Sequence, residues 1–202
     1  MKHLLIIITL LFITGCISTA TNIKTTRVTT NVDIKVFNSL SSDYVNRPTF
    51  AEVNEYDYDN RHVKSLNYSA NGFGSTYLQG VSYLNKSPIW VNITEVDTVI
   101  SYIDKFIEWE TKAKSKGDMF SKDIGQFDSY TSSSITFKYS FFSGNKSNHY
   151  LVVSYCSNGM GLICSANSKS YLDVEEANTL KEELLKFKSG EVKIRDIASD
   201  YT

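Results

Sequence analysis

Two stretches of this sequence carry the full punctuation of an amphipathic helix, and each follows strand-like sequence. No other feature narrows the possible folds as much. In the first, Thr94 stands as an N-cap with Glu95 and Asp97 in the first turn. Val96, Val99, Ile100, Ile103, Phe106 and Ile107 then recur at helical spacing, and Lys112, Lys114 and Lys116 precede Gly117. Acid at the start, base at the end and glycine beyond match what the helix dipole and a left-handed C-cap favour. The second opens at Asp173 with Glu176 three residues on, the spacing of a capping box. It continues through Ala177, Leu180, Leu184 and Phe187 and closes at Lys188 and Gly190.

The sequence before each helix has the period of two that marks a half-buried strand. Ile89, Val91 and Ile93 alternate with Trp90 and Asn92, and the segments at 63–69 and 76–84 read the same way less cleanly. In the second half, Ile135, Phe137, Tyr139 and Phe141 alternate with Thr136, Lys138 and Ser140. "HYLVVSYC" and "LICSA" follow, with "SGNKSN" and "SNGMG" as turns rich in Gly, Asn and Ser. The expectation is an α+β domain, an antiparallel sheet with two helices on one face. The order strands-then-helix occurs twice, over 56–117 and 118–190, which suggests a tandem strand-strand-strand-helix pseudo-repeat.

The amino terminus has a different grammar. Lys2 is followed by the apolar run Leu4 to Ile13, broken only by Thr9, then Thr14, Gly15 and Cys16. Spanning a bilayer takes about 20 apolar residues, so this run is short for a transmembrane helix. A charged start, a short apolar core and small residues at its end are those of a secretory signal. Ile13, Thr14, Gly15 and Cys16 resemble the lipobox of bacterial lipoproteins, a resemblance confined to the signal. It implies that residues 1–15 are removed, that the Cys16 thiol receives diacylglycerol and that the new amino group is acylated, for example by palmitate. Several acyl chains together hold a protein on a membrane where one does so only marginally. With Ile17 and Ser18 rather than Asp after the cysteine, the resemblance further implies an outer-membrane lipoprotein facing the periplasm if the host has two membranes. Ser18 to Ala20 also fits an ordinary small-x-small cleavage site, which would release a soluble chain.

Residues 16–32 read as a lipidated tether, since Ile17 to Asn31 is rich in Thr, Ser and Asn with no helical stripe. As flexible coil, 15 such residues reach about 20 Å. An edge strand is the alternative, because Thr and Val favour strands. Residues 33–202 then form a single domain. Hydrophobic content of 42% with 13% aromatic is that of a globular chain. Lys and Arg (21) nearly balance Asp and Glu (22), so no basic excess recruits nucleic acid or acidic lipid by charge.

The remaining cysteines, Cys156 and Cys164, flank a turn of seven residues centred near Met160. An exported protein meets an oxidising compartment, so a disulfide between them is expected. Two buried thiols, or a nucleophile with His149 as base, are the alternatives. Beyond these no site is expected: no catalytic, cofactor or metal motif is present, and His62 and His149 stand outside any metal-ligand spacing. Glu55, Asp57 and Asp59 alternate as Ca²⁺ ligands might in an extended segment, but a solvated strand edge explains them more simply. "GFGS" at 72–75 reads as a turn. Phe137, Tyr139 and Phe141 are expected to face the core rather than stack on a ligand.

Two functional classes follow. The first is a membrane-anchored envelope module that binds another envelope protein or a cell-wall polymer through a sheet face or edge, with no deep polar cleft and a discrete exposed apolar or Tyr-rich patch. The second is a lipid-anchored periplasmic hydrolase of cell-wall or lipid material, with carboxylates or His149 converging in a pocket. The scarcity of His and of motifs favours the first.

Overall fold

The computed structural model describes residues 20–70, 88–129, 132–157 and 163–192. The signal, Cys16, the expected strand at 76–84, the turn at 72–75 and most of the "SNGMG" turn lie outside the described residues. Ten strands and two helices are described: β1 Thr21–Val28, β2 Lys35–Asn38, β3 Asp43–Asn46, β4 Thr49–Tyr58, β5 Arg61–Ala70, β6 Pro88–Asn92, α1 Val96–Lys116, β7 Ser121–Ser129, β8 Ser132–Ser143, β9 His149–Ser157, β10 Ile163–Leu172 and α2 Val174–Ser189.

The class is mixed α+β with antiparallel pairing throughout, but the strands form two sheets rather than one. The orders are β1-β4-β5-β6 and β3-β2-β10-β9-β8-β7. The division follows chain order only in part: the 21 residues of α1 separate the β4-β5-β6 run from the β7-β10 run, whereas the β2–β3 hairpin, which precedes β4, joins the larger sheet beside β10. The β4–β5 hairpin closes on Asp59 and Asn60, both left-handed at φ 50° and 58°. Tyr58 lies opposite Arg61 across this two-residue turn, and such turns favour Asn and Asp because both central residues need positive φ.

Both helices end as their sequence predicts, on Gly117 and Gly190 in the left-handed conformation. Their starts differ in detail. Asn92, not Thr94, caps the first: its side chain accepts the Thr94 N–H at 3.0 Å, and a 3₁₀ turn over Ile93–Glu95 leads into α1. Asp173 caps α2 as expected, accepting from the N–H groups of Glu175 and Glu176 at 3.1 Å. Glu176 does not complete a capping box, because its carboxylate accepts the Asp33 N–H at 2.6 Å instead. Lys188 pairs with Asp97 at 2.6 Å and Lys181 with Asp104 at 2.5 Å, so the two helices run antiparallel.

One apolar cluster joins all layers. Val53, Leu66 and Ile89 of the four-stranded sheet, Val99 and Phe106 of α1, Leu180 and Phe187 of α2, and Tyr139, Phe141 and Val153 of the six-stranded sheet all belong to it. α1 meets the six-stranded sheet through Tyr102 on Tyr139 and Phe106 on Phe141, ring centroids 5.3 and 5.9 Å apart. α2 also reaches the four-stranded sheet, where Tyr68 donates to Glu183 at 2.8 Å and the Lys64 ammonium sits 5.7 Å above the Phe187 ring.

The segment read as a tether is largely ordered. Thr21–Val28 is the edge strand of the four-stranded sheet, paired with β4 from Lys24↔Glu55 to Val28↔Ala51. Thr and Val supply the β-branched side chains a strand accepts, and β4 otherwise has an unpaired edge. Beyond it, residues 30–35 lie along one face of α2. Glu183 accepts from the Thr30 hydroxyl at 2.9 Å and the Asn31 N–H at 2.8 Å, Glu176 from Asp33, and Asp173 pairs with Lys35 at 2.6 Å. Spacings of three and seven residues put these carboxylates on one helix face, and Val32 and Ile34 are buried between their contacts. No described helix is long and apolar enough to cross a membrane.

Candidate binding groove

Alternation along β8 assigns each of its faces. Phe137, Tyr139 and Phe141 point into the core and are essentially inaccessible, as expected. Lys138, Ser140 and Phe142 therefore point the other way, to the face of the six-stranded sheet that the helices leave bare. On β9 the same face carries Tyr150, Val152 and Ser154, which are nevertheless buried at 7, 6 and 5% exposure. Their burial has a local cause. Tyr44 on β3 lies four strands from β8 in the sheet order, a separation of about 19 Å in a flat sheet. Its ring nevertheless stands 5.9 Å from Phe142 and 4.6 Å from both Tyr150 and Tyr171. The β2–β3 hairpin thus folds over the bare face and turns it into a trough.

The trough has a volume of about 560 Å³, within the range of ligand-binding clefts. Val152 and Ser154 line its floor, Tyr44, Phe142 and Tyr171 its aromatic end, and Ser121, Asp123 and Lys138 its far wall. Lys169 and Cys164 of β10 complete it. Phe37, half exposed, extends the aromatic end with its ring 5.3 Å from Tyr44. Burial pushes the phenols of Tyr44 and Tyr150 up, and that of Tyr171, also beside Tyr44, to about 12. These hydroxyls therefore stay neutral and serve as donors as well as acceptors.

The charge of the trough is uneven. Lys138 pairs with Asp123 at 2.9 Å, and Asp123 also accepts from Ser140 at 3.1 Å. Together these hold the Asp123 carboxyl below its usual range, the Lys138 bond most of all. Lys169 has no carboxylate partner among the described residues, whereas Lys122, opposite Phe141, turns to the helix side of the sheet, where its ammonium lies 5.2 Å from the Trp109 ring. At the aromatic end, Asp173 is engaged by Lys35.

The expected disulfide is present. Cys156 and Cys164 face each other in register across β9 and β10 with Cα atoms 4.0 Å apart, so the nucleophile reading of these thiols lapses. His149 stands at the start of β9, its side chain wholly buried against the Phe141 ring, with Nδ1 3.9 Å from Glu110. It borders a second depression of about 280 Å³ with Glu110, Lys114, Asp173 and Glu175. Two of the three carboxylates there are engaged: Glu110 with Lys114 at 3.4 Å, and Asp173 with Lys35 and the α2 cap.

The acidic run beside the β4–β5 turn is dispersed in the same way. Glu55 pairs with Lys64, Asp59 with Arg61, and Asp57 accepts from Asn22 at 2.7 Å and lies 3.0 Å from His62. The bond from Asn22, and then that of His62, holds the Asp57 carboxyl low. No cluster of three metal-ligating side chains occurs among the described residues.

No residue of the trough stands out in the sequence as part of a binding surface. Phe142 and Lys138 could be read as the opposite phase of the β8 alternation. Tyr44 sits in a strand of four residues, too short to show a period. No protein-family model, curated protein or solved structure matches the chain.

Proposed function

We propose that this chain is a lipid-anchored bacterial envelope lipoprotein that acts as a binding module, gripping its partner in the trough on the bare face of the six-stranded sheet. The anchor is the acylated Cys16, and Ile17 with Ser18 favours the periplasmic face of an outer membrane. The observation that carries the reading is the aromatic end of the trough. Tyr44, Tyr171, Phe142 and Phe37 hold one another at ring distances of 4.6 to 6.3 Å yet remain partly exposed. Tyrosine suits a surface that is apolar along the ring and wet at the hydroxyl. Strand addition at an edge is a weaker explanation, because this face offers side chains rather than free backbone groups.

The second reading, a lipid-anchored hydrolase, draws on His149 beside Glu110. It is weaker because the His149 side chain is wholly buried and Glu110 and Asp173 have structural partners. The orders β4-β5-β6-α1 and β8-β9-β10-α2 support reading the chain as a tandem strand-strand-strand-helix repeat, its two antiparallel helices forming one layer.

Intact mass, fractionation and in-cell chemical crosslinking test this together. The full chain should carry acyl mass, partition to membranes and form adducts. Cys16→Ala should lose the acyl mass, and the pair Tyr44→Ala with Tyr171→Ala should keep the anchor but lose the adducts. A soluble, unacylated chain beginning at Thr21 contradicts the anchor; unchanged adducts from the paired variant contradict the groove.

A further inference from the structure

The edge strand β1 begins at Thr21, five residues after Cys16. A chain extends by at most about 3.6 Å per residue, so Ala20 lies within about 14 Å of Cys16 whatever path joins them. An acyl group on Cys16 therefore brings one particular end of the domain to the bilayer. That end is built from the start of β1 and the β4–β5 turn, since Thr21 lies opposite Asp57 and Asp57 opposite His62. The other end is remote. β4 runs ten residues from Thr49 to Tyr58, a length of about 30 Å. Thr49 accepts the Ile34 N–H at 2.8 Å, next to the base of the β2–β3 hairpin where Lys35 faces Asn46.

Two features of the near end suit a lipid surface. The pairing of β1 slips between Thr21 and Lys24, which lie opposite Asp57 and Glu55. Asn22 in the slip is left-handed at φ 52° and donates to Asp57 at 2.7 Å. An irregularity of this kind re-aims side chains at a sheet edge, and Ile23 beside it is 43% exposed. The charges here also balance. Lys24, Arg61 and Lys64 offset Glu55, Asp57 and Asp59, with Arg61 on Asp59 at 3.6 Å and Lys64 on Glu55 at 3.5 Å. Approach to headgroups thus meets no net repulsion and needs no anionic lipid.

We infer that this end of the four-stranded sheet is a membrane-docking surface, with Ile23 entering the headgroup layer beside Cys16 and the β4–β5 turn resting on it. The inference rests on the lipoprotein reading of Cys16. It also orients the domain, because the base of the hairpin that roofs the trough then stands about 30 Å farther from the lipid.

Fluorescence quenching of the full-length chain in phosphatidylcholine vesicles tests it. Ile23→Cys, His62→Cys and Asn46→Cys, all at exposed positions, each add one thiol for an NBD probe, since Cys156 and Cys164 are bonded to each other. A headgroup nitroxide lipid should quench the probes at 23 and 62 about threefold more than the probe at 46, which lies about 30 Å away. Ile23→Ser should lower quenching at position 62 about twofold, since interfacial binding scales with buried apolar area. Quenching at 46 equal to or above that at 62, or quenching at 62 indifferent to Ile23→Ser, overturns the inference. Acyl mass measured on the same chain then leaves the anchor reading intact. A chain with no acyl mass that stays off the vesicles overturns both.

Discussion

Glu183 shows how one side chain can tie together segments distant in sequence. Its carboxylate receives the Thr30 hydroxyl, the Asn31 N–H and the Tyr68 hydroxyl at 2.8 to 2.9 Å. Tyr68 is buried, and burial followed by the nearby Glu183 charge raises its phenol well above the usual range. Replacing Glu183 with Ala therefore strands a buried hydroxyl and releases residues 30–31. Bonds to a charged group are worth about 1.5–3 kcal/mol each before relaxation, so Glu183→Ala should cost about 2–4 kcal/mol in urea unfolding.

Asp173 carries a pH dependence of definite sign. Burial pushes its carboxyl up, but the Lys35 ammonium and the Glu176 and Glu175 N–H groups outweigh this and hold it below the usual range. A carboxyl lowered by folding contributes stability above its unfolded pKa of about 4 and loses it as pH falls through the lowered value. Asp173→Ala should thus cost about 1–2 kcal/mol near neutral pH, the scale of a lost N-cap. The gap from the parent should narrow as unfolding is repeated at progressively more acid pH. A gap constant from pH 7 to pH 2 would remove the ionic part of the explanation.

Among elements, those whose stabilising contacts are local in sequence were legible. Helix caps, the β8 alternation and the facing cysteines act over a few residues, so period and spacing reveal them. The disulfide belongs to this group. Closing so short a loop stabilises by about 2.5 kcal/mol in the chain-entropy account, and the Cys156→Ser, Cys164→Ser pair should lose about that much in denaturant unfolding. Elements whose partner lies far along the chain were not legible. β1, offered by its Thr and Val only as an alternative to a tether, is a strand because β4 has an edge to offer, and the β2–β3 hairpin joins the larger sheet through Lys35 opposite Tyr171. Glu176, placed as a capping-box residue, is claimed by Asp33 from 143 positions away. The groove inherits this limit, since Tyr44 meets Phe142 only when that hairpin folds over the sheet.

At the scale of the molecule, the amino-terminal segment and the folded part are separable. Residues 1–19 speak only through their sequence, and the case for acylation at Cys16 rests on the lipobox resemblance. The folded part contributes two antiparallel sheets and two helices around one core, with a face of the six-stranded sheet roofed at one end by an aromatic hairpin. Phe37 on that hairpin and Leu185 on α2 are similarly exposed, at 50 and 47%, yet only Phe37 adjoins the trough. Photocrosslinking from p-benzoylphenylalanine placed at each position, in full-length chain in intact cells, compares the two surfaces at matched exposure. The account predicts a discrete adduct from position 37, abolished by Tyr44→Ala with Tyr171→Ala, and none from position 185. An adduct from 185 with none from 37 would contradict it and move the binding surface to the helices.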